Sequence, residues 1–127
     1  MREIKFRAWL KARKQMVEVV TIEFMDTGIP GILIRYVRDG RICEAFPGDF
    51  EIMQFTGLKD KNGKEIWEGD IVRDSFGSLY VIEWIDNIMN FVGKPLTTQS
   101  KVSDVDISDL EVVGNIYENP ELFGGAK

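Results

Sequence analysis

Apolar and polar residues alternate with a period of two along much of the chain, and clusters of Gly, Pro, Asn and Asp interrupt them. That combination predicts short β-strands joined by tight turns. Ile4-Lys-Phe-Arg-Ala-Trp-Leu10 places Ile4, Phe6, Ala8 and Leu10 on a core face and Lys5, Arg7 and Trp9 on an outer one. A polar turn over 11–15 leads into the β-branched stretch 16–24, which suits a second strand folding back on the first. Gly28, Pro30 and Gly31 break the chain before a strand over 32–37. Asp39-Gly40 predicts a two-residue hairpin turn with positive φ at both positions. Its register sets Val37 across from Ile42 and Arg35 across from Glu44, and puts Arg38 beside Arg41 at a small local cost.

Pro47-Gly48-Asp49 is the candidate boundary within a single domain of residues 1–127, between an N-terminal hairpin lobe (1–47) and a second lobe (48–122). Strand patterning resumes over 50–56. Two loops can be drawn for Asp60-Lys-Asn-Gly63. A two-residue Asn-Gly loop opposes Lys61 to Lys64 and Asp60 to Glu65, like against like. A three-residue loop with Gly63 in the left-handed region opposes Asp60 to Lys64, Lys59 to Glu65 and Leu58 to Ile66. Opposite-charge pairs add about 0.2–1 kcal/mol each, which favours the three-residue loop. Trp67-Glu-Gly-Asp70 and Asp74–Ser78 are further turns, and 79–85 is apolar on both faces except at Glu83, as a central strand would be. Asp86-Asn87 turns into a strand over 90–92, and 94–106 reads as a mobile loop. Residues 107–110 suit one helical turn before a last strand over 111–118. Seven or more short strands and no sustained helical period define an all-β protein.

Composition narrows the function classes. A length of 127 residues fits one domain, and a hydrophobic fraction of 44% argues against disorder. No apolar run approaches the ~20 residues of a membrane helix, and the opening residues lack the apolar stretch of a signal peptide. The expectation is a cytoplasmic protein with no membrane attachment. Histidine is absent, which removes the commonest general base and the commonest zinc ligand. With no zinc spacing, phosphate-binding glycine loop or nucleophile elbow either, the chain is expected not to be an enzyme and to need no cofactor. Charge is uneven: residues 1–46 carry a net +3 and residues 47–127 a net −8, giving −5 together. Ordinary solvated surface accounts for this. The sharper alternative is a basic edge that meets an acidic partner, or the acidic half of a second copy.

Three segments resemble the YopX family of phage and prophage proteins. They are the opening Met1-Arg-Glu-Ile-Lys-Phe-Arg-Ala-Trp9, the central Phe55-Thr-Gly-Leu-Lys-Asp-Lys-Asn-Gly-Lys-Glu-Ile-Trp-Glu-Gly-Asp-Ile-Val72, and the closing Gly114-Asn-Ile-Tyr-Glu-Asn-Pro-Glu-Leu122. The resemblance implies a mostly β protein whose C-terminal part is a small barrel of the Src-homology-3 type. It carries over no activity and no catalytic residues.

Each candidate site has a structural and a functional reading. Glu65, Glu68, Asp70 and Asp74 crowd one segment, but their spacing does not force them onto one metal ion, and Asp70 is expected to accept backbone N–H groups at the Gly69 turn. Cys43 is expected to be a buried structural thiol. Arg7, Trp9, Lys11 and Arg13 form a basic cluster with an aromatic, able to grip phosphates and stack a base, or simply a solvated strand face and hairpin tip. Asn115 and Tyr117 share a strand face with Val113, either as a recognition patch or with Asn115 bonding a neighbouring turn. Gly114 suggests a bulge or a close backbone approach. Asn62, Gly63, Gly69, Asp70 and Gly114 read best as turn and bulge residues. The expected function is a protein-interaction module, with an unknown protein or a second copy as partner. Nucleic-acid binding through the basic strand is the alternative, and a carboxylate-dependent hydrolase comes last.

Overall fold

In the computed structural model, which describes residues 3–25, 31–85, 90–95 and 110–122 (backbone alone at 84–85 and 90–95), the alternating stretches form antiparallel β-strands. They are β1 (Phe6–Leu10), β2 (Gln15–Phe24), β3 (Ile32–Arg38), β4 (Arg41–Ala45), β5 (Phe50–Lys59), β6 (Glu65–Trp67), β7 (Asp70–Arg73), β8 (Leu79–Ile85), β9 (Asn90–Pro95) and β10 (Glu111–Asn115). Among the described residues there is no helix, so the all-β class holds. By packing, the chain divides into one unit of Ile4–Gln54 and another of Met1–Glu3 with Phe55–Lys127. The division falls inside β5, whose first half pairs with β1 and whose second half pairs with β6.

In the first unit the strand order is β4-β3-β2-β1-β5. The alternating apolar face of each strand meets in one core: Ala8 and Leu10 from β1, Val17 from β2, Ile34 and Tyr36 from β3, Ala45 from β4 and Phe50 from β5. The Asp39-Gly40 turn has φ of 52° and 77°, and the β3–β4 register is the one it dictates: Val37 faces Ile42, Arg35 faces Glu44, Arg38 faces Arg41. On the opposite face Arg35 bridges Glu44 and Glu23, each at 3.0 Å. Two expectations are corrected here. Ile4 is 73% exposed and lies ahead of β1, outside the ladders that begin at Phe6 and Arg7. Cys43 is half-buried: it packs on the core, but β4 is the sheet's edge strand and leaves one flank open.

In the second unit β5 and β6 pair through a three-residue turn, and Leu58 faces Ile66 while Lys59 faces Glu65, as opposite-charge pairing requires. Asp60 N–H donates to Lys64 C=O at 2.8 Å, Gly63 N–H donates to Asp60 C=O at 3.0 Å, and Gly63 has φ of 82°. The other strands follow the order β10-β7-β8-β9. β8 is interior, as its two apolar faces imply, and Ile66, Val72, Ile82 and Leu110 form the core. Among the described residues these strands make an open sheet and no closed barrel, and β9 ends at Pro95, which has no N–H to extend a ladder. Lys94 and Pro95, expected in a loop, lie in β9. The rest of that loop, residues 107–109 of the expected helical turn, and the turns over 26–30 and 86–87 lie outside the described residues. The last strand ends at Asn115, three residues short of the expected end, because Asn115 caps the turn that follows.

Candidate functional site

The two signature blocks are built around three side chains that hold backbone. Asp60, 7% exposed, accepts Asn62 N–H and Lys64 N–H on Oδ1 at 2.8 Å each, closing its own hairpin. Its Oδ2 accepts Val112 N–H at 2.9 Å, and Lys61 N–H donates to Leu110 C=O at 3.0 Å, so the central block is tied to the entry of β10. Burial by itself would raise the Asp60 pKa; the N–H groups of Val112, Lys64 and Asn62 and the Lys64 charge outweigh it and hold the carboxyl below its ordinary value. Asp70 is buried and accepts Trp67 N–H at 2.7 Å across the Gly69 turn. Glu65 and Glu68 are half-buried nearby, and among the described residues no three Cys, Asp or Glu side chains gather to hold a metal ion.

Asn115 does the same work at the other block. Its Oδ1 accepts Tyr117 N–H at 3.0 Å and Glu118 N–H at 2.8 Å, and its Nδ2 donates to Glu118 Oε1 at 2.7 Å. Asn115 N–H in turn donates to Asn119 Oδ1 at 3.2 Å. Gly114 sits at a register shift between β10 and β7, and a Cβ there would lie 2.5 Å from Asn119 Oδ1. Bulge and close approach are therefore both present. Tyr117 lies in the turn after the strand, so Asn115 and Tyr117 do not share a strand face.

A second turn repeats the Asp60 design. Asp74 Oδ1 accepts Phe76 N–H and Ser78 N–H at 2.9 Å, Asp74 N–H donates to Ser78 C=O, and Gly77 N–H donates to Asp74 C=O. Tyr80 adds its hydroxyl to Asp74 Oδ2 at 2.8 Å. That bond, ahead of the backbone donors, draws the Asp74 carboxyl below its usual range and pushes the Tyr80 phenol above its own. The sequence pattern Asp-x-x-Gly-x signals both turns. In this copy Phe76 stands where Asn62 stands in the first, and it is 92% exposed.

The basic N-terminal residues are dispersed. Arg7 and Trp9 are half-buried on the outer face of β1, where Arg7 lies across from Glu18 and Trp9 from Glu51. Lys11 forms an ion pair with Glu51 at 3.0 Å. Arg13 leaves that face and lines a cleft of about 250 Å³ in the first unit, together with Leu10, Ala12, Tyr36, Ala45 and Phe46 and the carboxylates Glu44 and Asp49. Tyr36 is only 5% exposed, and no described residue bonds its hydroxyl. No carboxylate pairs with Arg13 among the described residues. This cleft escapes sequence reading because it is assembled from three separate stretches of the chain, around Leu10–Arg13, Tyr36 and Glu44–Asp49. Phe46, an apolar residue entering a Pro-Gly turn, is the one local sign of it.

The model of the YopX protein family matches residues 5–124. The chain belongs to the YopX family. Two solved structures extend the comparison. The crystal structure of protein EF1440 from Enterococcus faecalis is 33% identical, with a TM-score of 0.65 over 96% of this chain and 99% of that one. The crystal structure of protein yopX from Bacillus subtilis is 17% identical, with a TM-score of 0.58 over 97% and 99%, a likeness of fold alone. No curated protein sequence matches the chain. Family membership thus supplies a fold and no chemistry, which leaves the geometry to argue the function.

Proposed function

We propose that the protein is a non-catalytic protein-interaction module of phage type, acting in the cytoplasm, with its C-terminal strands as part of a small barrel of the Src-homology-3 type. The observation that carries the reading is the cleft beside Tyr36. Small-molecule and cofactor sites occupy about 300–1,000 Å³; at about 250 Å³ this cleft suits one large side chain of a protein partner. Its polar lining carries both charge signs, Arg13 with Glu44 and Asp49, for polar contacts around that side chain. In the signature blocks Asp60, Asp70 and Asn115 are instead engaged in holding turns. The barrel reading rests on the family resemblance and on the β7-β8-β9 meander with β10 returning to β7.

The test is affinity capture from host-cell extract with the wild-type chain and with A12W, which carries a bulky ring on the exposed loop beside Arg13. A protein retained by the wild type and lost by A12W is the expected result. Equal recovery on both would overturn the reading. Nuclease-sensitive material would transfer it to nucleic-acid binding through Arg7, Trp9, Lys11 and Arg13, which gel shifts at low salt would then register.

A further inference from the structure

We propose that Asn62 and Gly63 form a self-modification site that the Asp60 turn keeps latched. When the hairpin opens, the Gly63 amide nitrogen closes on the Asn62 side chain and converts it to aspartate and isoaspartate. The proposal stands apart from the cleft reading above.

Asn62 is the one asparagine of the chain that precedes a glycine. Gly63 has no Cβ, so nothing beside its amide nitrogen hinders approach to the neighbouring side-chain carbonyl. The reaction balances with water alone. The Gly63 nitrogen, its proton taken by solvent, attacks Asn62 Cγ; the Cγ–Nδ2 bond breaks, ammonia leaves, and a succinimide ring remains. Water then opens the ring. Cleavage between Gly63 N and Cγ yields aspartate. Cleavage between Gly63 N and the main-chain carbonyl carbon of residue 62 yields isoaspartate, whose backbone runs through Cβ and Cγ.

The Asn62 side chain has no part in holding the turn. It is exposed, and no described residue bonds it; only the Asn62 N–H is used, donating to Asp60 Oδ1 at 2.8 Å. The 74–78 turn makes the same bond with Phe76 in that position, so the geometry does not require an asparagine. The turn does restrain the reaction. Gly63 N–H, the nucleophile itself, donates to Asp60 C=O at 3.0 Å, and the N–H groups on either side of it, of Asn62 and Lys64, are both held by Asp60 Oδ1 at 2.8 Å. Attack requires the Gly63 N–H to leave its carbonyl and the peptide to rotate toward Asn62 Cγ, which breaks the turn.

Modification makes the opening permanent. Isoaspartate lengthens the backbone of a tight loop in which Gly63 holds a φ of 82°, and either product sets a further carboxylate close to Asp60. The Leu58–Ile66 and Lys59–Glu65 pairs and the Asp60 Oδ2 bond to Val112 N–H all depend on that loop. Chemistry at Asn62 therefore loosens the central signature block from β10.

The test follows Asn62 by peptide mass spectrometry with isomer separation. Wild type, Asp60→Asn and Asp60→Ala chains are incubated at mildly alkaline pH, folded and in urea, with folding checked by circular dichroism. In urea Asn62 should react ahead of every other asparagine, and alike in the three chains, since no latch remains. Folded wild type should react more slowly than unfolded. Folded D60A should react about fivefold to thirtyfold faster than folded wild type, the change in open population that follows loss of a buried acceptor, with D60N between them. As isoaspartate accumulates, β10 amides should lose hydrogen-exchange protection, whereas Asn62→Ser after the same incubation should keep it. Folded wild type that reacts as fast as unfolded, folded D60A that reacts no faster than wild type, or incubated wild type indistinguishable from N62S would each overturn the proposal. If D60A does not fold, the D60N rate and the wild-type rate in sub-denaturing urea decide it, both expected to exceed wild type in buffer; equality in either would overturn it.

Discussion

Asp60 and Asp74 occupy the same position in the same turn, and what separates them is reach. Asp74 serves its own hairpin and Tyr80, and the turn is open to solvent. Asp60 also takes the Val112 N–H, fifty-two residues onward, from a site with 7% exposure. Truncation of Asp60 to Ala leaves three backbone N–H groups without their acceptor, one of them at the start of β10. A buried group stripped of its partner costs about 1–3 kcal/mol, so D60A should lower stability at neutral pH by roughly 2 kcal/mol or more, and D74A by less. Urea unfolding at pH 7 measures both. D60N keeps the shape and an acceptor oxygen but lacks the charge, and it should fall between wild type and D60A. A D60A loss no larger than that of D74A would remove the long-range role assigned to Val112.

At the scale of elements, tight turns set register and glycine marks two different constraints. Gly63 has φ of 82° and open space around it, so Gly63→Ala meets only backbone strain, about 1 kcal/mol. Gly114 has a wall: a Cβ would sit 2.5 Å from Asn119 Oδ1 and 2.7 Å from its Cγ. Gly114→Ala must push Asn119 aside and break its bond to Asn115 N–H. It should therefore cost more than G63A, about 2 kcal/mol or above, and most of that penalty should vanish in an N119G background, where the obstructing side chain is gone. A double-mutant cycle on unfolding free energy checks this, since contacting residues couple by about 0.5–3 kcal/mol and independent ones do not. Local turn chemistry is also the reason the Asp39-Gly40 and Asp60–Gly63 registers could be read from sequence: a few adjacent residues determine them. The last strand was over-read for the opposite reason. Val113, Asn115 and Tyr117 continue the alternation, but the Asn115 side chain competes for the Tyr117 and Glu118 N–H groups and turns the chain. The cleft could not be read, because Leu10, Tyr36, Phe46 and Asp49 meet only through sheet order, which no local pattern encodes.

For the whole molecule, titration distinguishes the two units, each with its own core. Asp60 and Asp74, carboxylates held below their ordinary value, both belong to the Phe55–Lys127 unit. A carboxylate with a depressed folded pKa contributes stability that is present above its unfolded value, near 3.8, and lost as pH falls through the folded value. Tyr80 acts with the opposite sign: its raised folded pKa gives a contribution that is full below its unfolded value of 10.0 and lost as pH rises through the folded one. In the Ile4–Gln54 unit Arg35 is also raised, chiefly through its hydrogen bond to Glu23, so it stays charged from acid to alkali. Acidification below about pH 4 should therefore loosen the second unit first. Hydrogen exchange read by mass spectrometry should show amides of β6, β7 and β10 losing protection while those of β1 and β3 keep theirs, since cooperative units of one chain open separately when their stabilities differ. Replacing Asp60 and Asp74 together by Asn should lower stability at neutral pH and flatten the acid limb. The Tyr80→Phe change should leave the acid limb in place, weakened at Asp74, and abolish the alkaline loss at that turn. Simultaneous loss of protection in both units, or earlier loss in β1 and β3, would show that these turns do not control the acid response.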